Sequence, residues 1–200
     1  MTKPEAIVRT VENFIAKIQN GWIERLDYVV RDGSGIVIEN DSGSLSPDWK
    51  VELRATIKGK IASASLLAFE QNGDIFFQLF PSGHKLPASE LSGRGKILVL
   101  AELLLGYLHA ILPKDFFVKN ISWFCEADLS AAELTASAFF NEGESSVSFS
   151  FKISSENLDE VKCQVEIIPS FESSEVILVE DCSLEDLDEV VRALALETIL

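Results

Sequence analysis

The residues best suited to chemistry lie in and beside one apolar run, ILVLAELLLGYLHAIL, residues 97–112, which Pro113 stops. Gly95, Glu102, Gly106 and His109 are spaced i, i+7, i+11 and i+14. In a helix they share one face, small and polar. Leu98, Leu100, Leu103, Leu104, Leu108 and Ile111 cover the others. A carboxylate in such surroundings must be paired, hydrogen-bonded or protonated. Set beside an imidazole it becomes a device for moving protons. His84 and His109 are the two histidines of the chain, and both are candidate partners for Glu102. The alternative is structural: Glu102 and His109 are buried polar groups satisfied by the part of the chain that faces them.

The helix that carries Glu102 would be about 24 Å long at ~1.5 Å per residue. That falls short of the ~30 Å of a membrane core. A soluble helix apolar on nearly every side has to be wrapped by other elements. It is the centre around which the remaining elements are expected to be arranged.

Composition narrows the partners. The formal net charge of −15 argues against a nucleic-acid backbone or an anionic membrane, both of which need clustered Lys and Arg. Acid gathers after Ser154, where only Lys162 and Arg192 oppose it. That segment is a solvated surface or a contact for a basic protein. Cys125, Cys163 and Cys182 form no CxxC pair, and neither histidine stands at a metal-finger spacing, so no metal site is expected. No cofactor is expected either. Free thiols and an N-terminus, MTKPEAIVRTVENF, without a continuous apolar run point to the cytoplasm.

Taken in order, residues 4–20 read as an amphipathic helix with Ile7, Val11, Phe14, Ile15 and Ile18 on one stripe. Strands are expected over 22–31, 35–39, 49–58, 60–69 and 74–80, with turns at Lys58-Gly59 and Asn72-Gly73 and a loop over 41–48. After the helix come strands over 116–127, 133–140, 145–154, 160–168 and 174–180, with a hairpin at Asn141–Glu144. A last helix starts near 184, with Ser183 as its N-cap and Leu184, Leu187, Val190, Val191 and Leu194 as its apolar stripe.

The same order thus occurs twice, one helix followed by about five antiparallel strands. Letters agree as well: ELRATIKGKIASASLLAF begins at Glu52 and ELTASAFFNEGESSVSFSF at Glu133. The fold class expected is α+β, two helix-plus-antiparallel-sheet repeats with a C-terminal helix, the first half over 1–80 and the second over 81–200.

A long apolar helix wrapped by a curved antiparallel sheet, present twice, resembles the double hot-dog architecture of acyl-thioester dehydratases and thioesterases. The local resemblance is SGRGKILVLAE, residues 92–102. It is similar to a thioesterase pattern in which His-Gly-Gly opens the helix and an acid follows. Gly93 matches the first Gly and Glu102 the acid, while Ser92 stands in place of the His and Arg94 in place of the second Gly. FFQLFPSGHKLP, residues 76–87, resembles the run before the helix in hydroxyacyl dehydratases, whose catalytic His would fall near Leu79.

The resemblance implies an acyl thioester on an acyl carrier protein or coenzyme A. Glu102 would be acid or base, with His84 or His109 its partner. Ser92, Gly93 and Gly95 would sit at the substrate, and the helix N-terminus would polarise the carbonyl. The rival readings are a non-catalytic hot-dog-like protein and an acidic adaptor or chaperone that binds a partner protein.

Overall fold

A computed structural model describes residues 3–18, 21–36, 38–40, 43–45, 47–93, 95–113, 117–125, 131–140, 145–154, 156–168 and 177–197. The chain forms α1 (Lys3–Lys17), β1 (Ile23–Asp32), β2 (Ile38–Asn40), β3 (Gly43–Leu45), β4 (Trp49–Ile57), β5 (Lys60–Gln71), β6 (Asp74–Phe80), β7 (Lys85–Pro87), α2 (Ala88–Leu91) and α3 (Lys96–Ile111). Then follow β8 (Phe117–Cys125), β9 (Ala131–Phe140), β10 (Ser145–Ser154), β11 (Val161–Ile168), β12 (Ile177–Cys182) and α4 (Leu184–Glu197).

The strands make two five-stranded antiparallel sheets, ordered β1-β4-β5-β6-β7 and β12-β11-β10-β9-β8, plus the small β2–β3 hairpin. Each large sheet is a meander in chain order, with β2 and β3 inserted between β1 and β4. The two letter-matched segments fall on equivalent hairpins, β4–β5 and β9–β10, and Leu53 and Leu134, which follow the matched glutamates, are both fully buried. The α+β layout of two sheet-and-helix units with a C-terminal helix is therefore present. The sheets are not curled in the hot-dog manner.

Alternation decides which face of each strand goes inward. Val51, Leu53, Ala55 and Ile57 of β4, Ala62, Ala64, Leu66 and Ala68 of β5, and Val147, Phe149, Phe151 and Ile153 of β10 are buried. The intervening Lys50, Glu52 and Arg54, and Ser146, Ser148, Ser150 and Lys152, face outward. The turns follow the same logic: Lys58 and Gly59 both have positive φ, as do Asn72 and Gly73, which is the backbone of a tight two-residue hairpin.

Both sheets meet on α3. It contacts β5 and β6 of the first and β9 and β10 of the second. Ile97 through Leu105, Tyr107, Leu108 and Ile111 are all buried, so no flank of the helix except its last turn faces water. The rod is shared between the units rather than clasped by one. α1 adds Ile7, Val11 and Phe14 to the same core, with Ile18 just beyond its end, and α4 adds Leu184, Leu187 and Val191.

Polar contacts close the seam between the units. The Gly21 N–H donates to Asp159 Oδ1 at 2.7 Å, and Trp22 Nε1–H donates to the Leu158 carbonyl at 2.9 Å. Lys58 pairs with Glu185, and Lys60 stands 3.8 Å from Asp188. Ser183 caps α4 as the spacing predicts: its Oγ accepts the Asp186 N–H at 3.1 Å and donates to Asp186 Oδ2 at 2.6 Å.

Two expectations shift in detail. The loop over 41–48 contains a short strand, Gly43–Leu45, paired with Ile38–Asn40. The run over 81–95 holds β7, which extends the first sheet to Pro87, and the one-turn α2. The Asn141–Glu144 hairpin lies outside the described residues.

Candidate functional site

The small polar face of α3 is real, and it is the face that meets the first unit. At Gly95 an added Cβ would lie 2.7 Å from Leu86 Cδ1 and 2.9 Å from the Glu90 carbonyl oxygen. At Gly106 it would lie 2.5 Å from the carbonyl oxygen of Ser63. The absent side chains let helix and sheet approach closely.

Between the two glycines stands Glu102, 1 % exposed and the only buried ionisable carboxylate among the described residues. Its Oε1 accepts the backbone N–H of Ser82 at 3.0 Å. Ser82 belongs to the β6–β7 turn, which opens with a cis Phe80-Pro81 bond and is closed by the Gly83 N–H on the Leu79 carbonyl and the Leu79 N–H on the His84 carbonyl, both at 2.8 Å. Oε2 has no hydrogen-bond partner among the described residues. Burial pushes the Glu102 carboxyl above its usual range, and the Ser82 hydrogen bonds only partly oppose that. A buried carboxyl that holds its proton more tightly than usual suits an acid catalyst; it is also what a turn anchor at an apolar helix becomes.

The other sequence candidates spread out around it. His84 is half-buried at the end of that turn, its backbone N–H on Ser82 Oγ at 3.3 Å, and burial lowers its imidazole's affinity for a proton. His109 is exposed on the last turn of α3. Ser92, Gly93 and Gly95 connect α2 to α3, and the N–H groups of Gly93 and Gly95 both donate to the Glu90 carbonyl, at 2.9 and 3.0 Å. The turn thus brings Ser82 and His84 to the Glu102 side of the helix, while His109 is at the far end.

Sequence reasoning did not find the cleft at the seam. It has a volume of about 330 Å³ and is walled by Gly21, Trp22 and Lys58 from the first unit and by Asp159, Glu160, Val161, Ser183, Leu184 and Glu185 from the second. A smaller groove of about 250 Å³ shares Glu160 and is lined by Lys152, Ser154, Asn157 and Lys162. The larger cleft is acidic because the charge is divided unevenly along the chain. Residues 101–200 hold 20 of the 32 acidic side chains and 5 of the 17 basic ones, while residues 1–100 carry 12 of each. Glu156, Glu160, Glu166, Glu185, Asp186 and Glu189 are exposed on the second unit. The legible signal was the acid after Ser154; that it lines a cleft depends on Gly21 and Trp22 arriving from far away in sequence.

Among the described residues no cluster of three or more His, Cys, Asp or Glu is placed to hold a metal ion, and no helix is long and apolar enough to cross a membrane. The fold and site define an α+β protein of two helix-plus-meander units that share one buried helix. No protein-family model, curated protein or solved structure matches the chain.

Proposed function

We propose that this chain is a non-catalytic binding protein whose second unit receives a basic segment of a partner protein. The observation that carries the reading is the seam cleft. Exposed carboxylates of Asp159, Glu160 and Glu185 converge there, and Lys58, paired with Glu185, is the one cation among the described residues of its walls. Such a surface attracts Lys and Arg, and its attraction is screened by salt. Trp22 in the cleft wall supplies a fluorescent reporter.

The test is titration with a labelled Lys/Arg-rich peptide and one of the same length with Gln at every Lys and Arg, at 50 and 500 mM salt. Binding that prefers the basic peptide, weakens with salt and falls roughly tenfold in Glu160→Lys supports the proposal. Equal binding of both peptides, or binding indifferent to salt, ends it.

One observation favours a second reading, an acyl-thioester enzyme of dehydratase or thioesterase type: Oε2 of Glu102 is buried with no hydrogen-bond partner among the described residues. In that reading a substrate on coenzyme A or an acyl carrier protein enters beside the β6–β7 turn, and Glu102 exchanges a proton with it. A panel of 3-hydroxyacyl and acyl thioesters decides. Turnover abolished in Glu102→Gln supports it; no turnover by the unaltered chain removes it.

A further inference from the structure

β12 is a strand of six residues at the edge of its sheet, paired among the described residues with β11 alone. In their register Cys163 of β11 stands directly opposite Cys182 of β12. Opposed residues on neighbouring strands project from the same face of the sheet. Both cysteines lie on the inner face, 2 % and 6 % exposed, and both are free thiols. Opposed Cα atoms in an antiparallel pair are ~4.5–5.5 Å apart. A disulfide bridges Cα atoms ~4.4–6.8 Å apart. The ladder is irregular next to the pair, between Cys163 and Val165, where β12 has an extra residue. Bulges of this kind give a strand end local freedom to twist.

We propose that Cys163 and Cys182 are a redox pair that closes into an intramolecular disulfide. With oxidised glutathione as the oxidant, one cysteine thiolate attacks the glutathione disulfide and expels a reduced glutathione. The second cysteine then attacks the mixed disulfide and expels another. Two protons and two electrons leave the protein, one S–S bond forms, and one oxidised glutathione becomes two reduced ones.

The pair is reached when the edge strand opens, since a short edge strand is among the least protected parts of a sheet. Burial keeps both thiols protonated, with Cys163 pushed up to about 12, so the exchange is slow near neutrality and speeds up with alkali. Cys182 is followed at once by the Ser183 cap of α4, so the bond would also fasten the start of that helix and the Ser183–Glu185 wall of the cleft. The inference stands without the binding reading.

The test equilibrates the complete chain in glutathione redox buffers at mildly alkaline pH, followed by denaturation, alkylation and mass analysis. The expected product has two protected thiols and a mass about 2 Da below the reduced chain. Cys163 and Cys182 lie in one tryptic fragment, residues 163–192, so cleavage after the intervening glutamates must give two peptides joined through them. The midpoint of thermal unfolding should rise roughly 5–10 °C and fall back on reduction. Cys182→Ala should show neither change. Glutathione adducts without a joined pair, linkage of either thiol to Cys125 instead, or thiols that stay free under oxidant in a little urea would each overturn the proposal.

Discussion

Gly106 of α3 lies directly on the backbone of Ser63 in β5, with space for a hydrogen but not for a methyl group. A Cβ there would meet the Ser63 nitrogen at 2.8 Å as well as its oxygen at 2.5 Å. Neither atom can swing aside like the end of a side chain. Gly106→Ala gains about 1 kcal/mol of helix propensity. Forcing helix and sheet apart should outweigh it, for a net loss of about 1–3 kcal/mol in urea unfolding. Gly93→Ala is the control: the nearest atom is 3.5 Å away, and stability should stay within about 0.5 kcal/mol.

Glu102 predicts a pH dependence with a definite sign. Its carboxyl holds a proton more tightly in the folded chain than in the unfolded one, because burial disfavours the charge. Its contribution is therefore intact below the ordinary carboxylate range and is lost as pH rises through the higher folded value. Glu102→Gln, which keeps an oxygen for the Ser82 N–H, should remove that slope. Unfolding free energies of the two proteins measured from pH 4 to pH 8 should diverge in favour of the variant as pH rises. Parallel curves would contradict the assignment.

Tyr107 ties α3 to the last helix. Its hydroxyl donates to the Leu184 carbonyl at 3.2 Å, and burial, aided by the charge of Asp188, pushes the phenol up to about 12. Tyr107→Phe removes this added donor from a carbonyl that begins α4 and should cost about 0.5–1.5 kcal/mol. Hydrogen exchange of the first turn of α4 should accelerate more than exchange in β4 or β5.

Ser183→Ala removes the side-chain oxygen that accepts the Asp186 N–H. A lost cap is worth about 1 kcal/mol. Ser183→Asp should recover most of it, and thermal unfolding of the three proteins would rank them.

Much of this fold could be read from the letters. Period-two alternation in WKVELRATI and SSVSFSFKIS yields β4 and β10 with their correct inner faces. The run of leucines yields α3 within a residue of its true ends. β3 was missed because Gly-Ser-Leu has neither alternation nor strand-favouring residues.

The candidate site was legible only in part. Glu102, Gly95 and Gly106 were placed on one face by spacing, which holds in the structure. What the face meets was not, because the partners are the Ser82 amide, the Ser63 backbone and the Glu90 carbonyl, and a main-chain group has no letter of its own. The seam hides for a related reason: Gly21 and Asp159 are 138 residues apart, and neither is unusual in its own surroundings.

A rod claimed from both flanks makes either half of the chain incomplete when severed. Cleaving between β7 and α3 would leave the amino-terminal fragment with a bare alanine-lined sheet and the carboxy-terminal one with an uncovered row of leucines. Mixed together, the fragments should recombine and refold, each serving as the missing wall of the other.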